Sequence, residues 1–300
     1  MNWASTAILS AAILGIVNII DSYLVSRRLP SFRSFLMLLG IIHLTYGLLL
    51  LYLMPLPEGT GIRPVLAALV SGVFRTCAVS IMLYYLKSEA VSRVIPITYT
   101  YPIFVAVMAV PLLGETLHSL QWLSIIIVVA GAVMVSIEKS HSGQVSRFSK
   151  PFLLLLISSL LFAVADIASK YALGYITFWN NFSISAICLS SAFLAVSIRP
   201  HVIRQLRDMK HRNSAIAMLA FNETLAPVGI LLSYWAMQRG PVSLVSTIIG
   251  SRPVFVAIYS FILSLISPGF LIKSAVKKVL ALRLAAAAMI VSGISIIYLT

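Results

Sequence analysis

Long apolar stretches separated by short polar connections run the length of the chain. They recur about every 25–30 residues, each close to the roughly 20 residues a helix needs to cross a hydrocarbon layer. The pattern predicts ten membrane helices, at about 3–25, 34–54, 66–86, 94–113, 119–137, 151–173, 177–198, 214–237, 241–265 and 281–299. The interruptions have a physical basis: Pro30, the Pro55–Pro64 region with Glu58 and Gly59, the Glu115–His118 turn, and the polar run from Glu138 to Lys150. The last of these divides the chain into a first five-helix repeat at 1–140, a polar linker at 141–150 and a second five-helix repeat at 151–300.

The repeats are legible in the residues themselves. A shift of 151 positions lays Val91, Ser92, Val94, Ile97, Pro102, Phe104, Val105 and Ala106 on identical residues Val242, Ser243, Val245, Ile248, Pro253, Phe255, Val256 and Ala257, eight matches in sixteen positions. At a shift of 148, Asn18, Ile19 and Tyr23 fall on Asp166, Ile167 and Tyr171. The third and eighth helices overlay without sharing polar residues, since Arg75 meets Ala226 and Tyr84 meets Trp235. An odd number of crossings per repeat returns the second copy to the opposite side, so the repeats have inverted topology. The expected fold class is therefore all-α and polytopic, with a pseudo-two-fold axis in the membrane plane of the kind that supports alternating access.

Composition strengthens this picture. The chain of 300 residues is 60% hydrophobic and only 10% charged, against about a quarter charged in an ordinary soluble domain. The first run lacks a basic leader and carries Asn18 and Asp21 near its far end, which fits a first helix and not a cleaved signal peptide. Cys77 and Cys188 both fall in apolar runs, where they are expected as small buried hydrophobes.

The net charge of +14 does not point to nucleic acid, because the basic residues sit in connections and no aromatic-interleaved patch accompanies them. Connections after odd-numbered helices carry nearly all of them, including Arg27, Arg28, Arg33, Lys87, Arg93, Lys139, Arg147, Lys150, Arg199, Arg204, Arg207, Lys210, Arg212, Lys273, Lys277, Lys278 and Arg283. The opposite connections carry Arg63 and Arg239. Because basic loops are retained in the cytoplasm, both termini are expected outside it, in a multi-pass protein of the cell (cytoplasmic) membrane. Arg199–Arg212 and Phe270–Leu280 mix basic and apolar residues and suit either a headgroup surface or a plain solvated connection.

Six charges stand well inside the predicted helices: Asp21, Arg75, Asp166, Lys170, Glu223 and Arg252. Charges facing lipid are expensive, so these side chains are expected to point inward, pair, or meet water. Asp166 and Lys170, four apart on one helix, suit a local ion pair, and Asp166 alternatively suits a substrate anchor or proton-coupling acid. Lys170 also lies near a helix end, within reach of the interface. Arg252 directly precedes Pro253, which removes a helical donor and opens the backbone; it suits an anionic group of a solute or a pairing with Glu223. Tyr101, before Pro102, holds the mirror-related position and offers an aromatic wall, with Pro102 and Pro253 as structural hinges. Glu223 takes a proton-coupling or a paired role, depending on which cation stands beside it. Asn18, Asp21 and Arg75, with neighbouring Ser and Thr, suit either a solute route or interhelical contacts. Trp235 joins Tyr101 as a candidate pocket aromatic, whereas Trp122 suits an interface anchor. Gly131 and Gly293 are expected at a close helix contact.

No phosphate-binding glycine loop, nucleophile elbow or zinc motif occurs, and the scattered His43, His118, His141, His201 and His211 suggest no metal or catalytic constellation. The chain is therefore expected not to be an enzyme and to need no cofactor, with proton coupling left open. The doubled plan resembles the EamA-like branch of the drug/metabolite transporter superfamily. The resemblance spans nearly the whole chain and rests most on Ala90-Val91-Ser92 through Tyr101-Pro102 to Leu113-Gly114-Glu115, with Pro241-Val242-Ser243 and Arg252-Pro253-Val254 in the second copy and Lys170 in the sixth helix. It implies a ten-helix secondary carrier with a central cavity between the halves, exporting or exchanging a small polar or amphipathic metabolite such as an amino acid. It also implies cytoplasmic termini, the reverse of the loop charges. A nontransporting membrane receptor or scaffold is the alternative, followed by an intramembrane lipid-modifying enzyme. The expected partners are a small-molecule solute and membrane lipid, as monomer or homodimer, with no nucleic acid.

Overall fold

The computed structural model describes residues 2–89, 91–135, 150–209, 212–266 and 280–299, and these are helical with short connections. The first half contains α1 (Trp3–Tyr23), extended by a π-helical turn at Leu24–Arg28, then α2 (Phe32–Leu53), α3 (Ile62–Leu86), α4 (Val91–Thr98), α5 (Pro102–Leu113) and α6 (Ser119–Val135). The second contains α7 (Lys150–Leu173), α8 (Phe178–Ser197), α9 (Pro200–Arg207), α10 (Arg212–Arg239), α11 (Val242–Ile249), α12 (Arg252–Ile266) and α13 (Leu280–Leu299).

Among the described residues, eight helical spans are long and apolar enough to cross a membrane: Trp3–Arg28, Phe32–Leu53, Ile62–Leu86, Val94–Leu113, Lys150–Leu173, Phe178–Ser197, Arg212–Arg239 and Val242–Leu263. Two shorter apolar helices, Ser119–Met134 and Ala288–Ile297, lie where the fifth and tenth spans are predicted. Positions 141–149 of the expected linker and most of the Phe270–Leu280 segment lie outside the described residues.

Local chemistry sets the helix ends. The Asn2 side chain accepts from the Ala4 N–H at the start of α1, Ser31 accepts from Ser34 at α2, and Thr177 with Asn180 forms a reciprocal capping box at α8. Helix α5 ends on Gly114, whose φ of 67° is open to glycine without the steric cost a Cβ would bring. The Arg199–Arg212 connection contains a short helix, α9, that buries Val202 and Leu206.

The surface is apolar where a soluble protein would be polar. Leu48, Leu49, Val73, Leu120, Ile126, Ile157 and Leu160 are exposed, as suits side chains facing lipid, while hydroxyls and amides turn inward. Ser10 donates to the Gly229 carbonyl at 2.7 Å, Ser158 donates to the Ala78 carbonyl at 2.8 Å, and Ser71 and Ser169 share a 2.6 Å bond. These bonds tie helices together in surroundings where hydrophobic burial does not separate helix from lipid.

The largest packing contacts pair α2 with α8, α3 with α7, α6 with α13 and α1 with α10. Gly131 and Gly293, expected at a close helix contact, stand at the packing of α6 on α13. A Cβ on Gly131 would stand 2.9 Å from the Ala286 carbonyl oxygen, and one on Gly293 would stand 3.1 Å from that of Ser124. Cys77 departs from expectation, being exposed on α3, and Cys188 is only partly buried.

Candidate functional site

The fourth and ninth predicted helices are each broken, and the breaks meet. Pro102 starts α5 after the turn at Tyr99–Tyr101, and Arg252-Pro253 starts α12 after the turn at Gly250–Ser251. A proline has no N–H to continue the ladder, which explains a break at the same place in both. Side-chain hydroxyls reinforce the turns at these breaks, Thr100 donating to the Ile97 carbonyl at 2.9 Å and Ser251 to the Ile248 carbonyl at 2.6 Å. Gly250 lies against Pro102 so closely that a Cβ there would be 2.7 Å from the proline Cγ. The expected hinges Pro102 and Pro253 thus stand at two crossing junctions, which are interruptions and not simple bends.

These junctions deliver an aromatic and cationic cluster. The Arg252 guanidinium lies over the Tyr99 ring, 4.6 Å from its centroid, and donates from Nη1 to the Tyr99 hydroxyl. Tyr99 and Tyr101 meet edge to face at 5.7 Å, and both pack on Phe162 of α7, at 6.2 and 6.0 Å. Tyr101 thus lies in an aromatic group with Tyr99 and Phe162, and Tyr99 is the tyrosine that holds the arginine. Arg252 is half-buried, and among the described residues it makes no ion pair.

Beside this wall, Asp166 is fully engaged. Its Oδ1 accepts from Arg75 Nη2 at 2.7 Å and its Oδ2 from the Ser246 hydroxyl at 2.7 Å, tying α7 to α3 and α11. Arg75 also lies over the rings of Tyr234, at 5.2 Å, and Phe162, at 6.0 Å. The expected pairing of Asp166 with Lys170 is not formed. A partner from another helix wins: Arg75 Nη2 reaches Asp166, whereas the Lys170 ammonium is taken up by backbone carbonyls of α10 and the turn after it.

Lys170 ends on the carbonyls of Met237 and Gly240, at 2.6 and 2.7 Å, and so caps the C-terminus of α10. At the next helix start, Glu115 accepts from the backbone N–H of Val242 and Ser243 and from the Ser243 hydroxyl. One turn between α10 and α11 is thus held by a cation at its leaving carbonyls and an anion at its entering amides. Of this role for Glu115, the sequence carries only the Gly-Glu turn itself.

A second polar cluster joins α1, α2 and α10. Asn222 Nδ2 donates to Asp21 Oδ1 at 2.7 Å and to Glu223 Oε1 at 3.4 Å. His43 Nδ1 lies 3.2 Å from Glu223 Oε2 and 3.2 Å from the Leu39 carbonyl. Asp21, Asn222, Glu223 and His43 are all buried, as is Asn18 on the same helix as Asp21. The expected Glu223–Arg252 pairing is not formed, and His43, one of the scattered histidines with no role assigned from the sequence, belongs to this cluster. Trp235 stands apart from both clusters, with Arg239 stacked 4.1 Å over its ring near the end of α10. Among the described residues there is no group of three or more His, Cys, Asp or Glu side chains placed to hold a metal ion.

No curated protein matches the chain. A solved structure described only as "Crystal structure of protein" superposes with a TM-score of 0.63 at 19% identity, covering 99% of this chain and 95% of that one, which shows a shared fold. The model of the EamA-like transporter family matches residues 1–137. Members of that family are transporters rather than enzymes, and the apolar spans make this a multi-pass membrane protein. Residues 1–137 are thus similar to the EamA-like transporter family, which belongs to the drug/metabolite transporter superfamily.

Proposed function

We propose that the chain is a secondary carrier of a small polar or amphipathic metabolite, such as an amino acid or related compound, working by alternating access between two inverted five-helix repeats. The packing supports the symmetry. Counting α4 with α5 and α11 with α12 as single spans, including α6 and α13 and leaving out the short connecting helix α9, gives two sets of five. Under a two-fold relation the second span should meet the seventh and the fifth the tenth, as α2 with α8 and α6 with α13 do. The first should then meet the eighth as the sixth meets the third, which is the relation of α1 with α10 to α7 with α3.

The observation that carries the solute reading is Arg252. It is the charged side chain at the crossing of the two broken helices, is held on Tyr99 and leaves its charge without a carboxylate among the described residues. A solute carboxylate matches Arg252 in charge, and Tyr101 and Phe162 suit the apolar remainder of an amphipathic metabolite. Arg75 and Asp166 satisfy each other and frame the site. Pro102 and Pro253 place the hinges where the repeats would rock against each other. Export and exchange are both compatible with this geometry.

The test is flux in proteoliposomes, with amino acids and related anionic metabolites as solutes, comparing wild type with Arg252→Ala. The expected result is a specific flux that the variant loses while inserting normally. Equal flux in both would remove Arg252 from the pathway, and solute binding without flux in wild type would favour a receptor.

A further inference from the structure

We propose that Asp21, Asn222, Glu223 and His43 form a proton-binding site, separate from the Asp166–Arg75 pair, in which one proton is shared between the two carboxylates. Four observations converge on it. Both acids are buried, with 6% of Asp21 and 1% of Glu223 exposed, and a single amide nitrogen of Asn222 bonds an oxygen of each. The cluster holds no lysine or arginine. It also leaves three buried polar atoms without hydrogen-bond partners: Glu223 Oε2, Asn222 Oδ1 and, on the Asp21 helix, Asn18 Nδ2. His43 Nδ1 faces the Leu39 carbonyl, which only accepts, so that nitrogen carries a hydrogen and is the one ring donor near Glu223 Oε2.

Among the described residues, no lysine or arginine of the surrounding helices is paired with either acid. Arg75 of α3 and Asp166 of α7 are bonded to each other, Lys170 of α7 is on backbone carbonyls, and Arg252 of α12 is on Tyr99. Arg28 of the π-helical turn lies over Tyr23 and bonds Ser214 at 3.4 Å. Of the other titratable groups on packed elements, Tyr46 of α2 bonds Thr224 and Tyr259 of α12 packs near Gly15. Two full negative charges enclosed without a counterion are unfavourable in such surroundings. One proton, taken from water onto a carboxylate oxygen, leaves a single charge that Asn222 and His43 stabilise. Asp166, with both oxygens bonded and an arginine on one of them, has no such need, which separates the structural acid from the proton-binding pair.

Use of this proton to drive solute rests on the carrier reading above; its binding does not. The test is infrared spectroscopy of the full-length protein in lipid nanodiscs, with pH steps and exchange into D2O. The expected spectrum shows the C=O stretch of a protonated carboxyl at neutral pH, shifted in D2O and lost on alkalinisation. Asp21→Asn and Glu223→Gln should each remove it, since a lone remaining acid leaves a single charge, held by Asn222 and His43 in the case of Glu223 and by Asn222 in the case of Asp21, while Asp166→Asn leaves it in place. Absence of the band in wild type overturns the proposal, as does its survival in the Asp21→Asn/Glu223→Gln double variant. Its displacement by Na+ at constant pH would instead assign the cluster to a metal cation. The wild-type titration decides even if a variant fails to insert. A band that is present without solute flux would sink the carrier reading and leave the proton site standing.

Discussion

Removing Arg75 should expose how strongly the bundle depends on a pair drawn from two different helices. Asp166 and Arg75 have 2% and 18% of their side chains exposed, so Arg75→Met strands a buried carboxylate with only the Ser246 hydroxyl. Breaking a buried pair from one side costs about 3–5 kcal/mol, and the partial exposure of Arg75 together with the retained Ser246 bond places this variant near about 3 kcal/mol. Asp166→Asn leaves the guanidinium on two aromatic rings and partly exposed, for a loss of about 1.5 kcal/mol. In the double variant no charge is orphaned, so the loss should be about 2.5 kcal/mol, short of additive by about 2 kcal/mol. Equilibrium unfolding in mixed micelles of increasing SDS measures all three. A parallel cycle of Asp166→Asn with Lys170→Met should be additive, because Lys170 bonds Met237 and Gly240. Coupling in the Lys170 cycle with none in the Arg75 cycle would refute the pairing and restore the local one that the i, i+4 spacing suggests.

Three further outcomes are expected. Gly250→Leu should lower thermal stability by about 1–3 kcal/mol because its Cβ would meet Pro102 Cγ at 2.7 Å; an unchanged melting temperature would mean the junctions do not touch. Glu115→Gln should weaken the start of α11 by about 1 kcal/mol and speed amide exchange at Val242 and Ser243, whose N–H groups it accepts; unchanged exchange there would remove the cap. A cysteine at Ser142 should be labelled only from the cytoplasmic face if the basic connections set orientation, and labelling only from outside would reverse that assignment.

The eight membrane-length spans of the described residues and the breaks at Pro102 and Pro253 were legible in the sequence because each depends on short-range information. A run of about 20 apolar residues declares its own environment, and a proline interrupts its own helix wherever the chain goes next. Charge in the segments likewise announced which residues face inward, since Asp21, Asp166 and Glu223 are all buried. What the sequence did not contain was partnership. Asp166 meets Arg75 and not Lys170, Glu223 meets His43 and not Arg252, and Arg252 rests on Tyr99, because each choice is made by residues that are distant in the chain and brought together by helix packing. Spacing along one helix offers a candidate partner, but only the crossing of helices fixes which side chains approach end to end with their charges aligned. For the same reason Glu115 and His43 gained their roles only in three dimensions, where a turn between α10 and α11 comes within reach of one and a buried carboxylate stands beside the other.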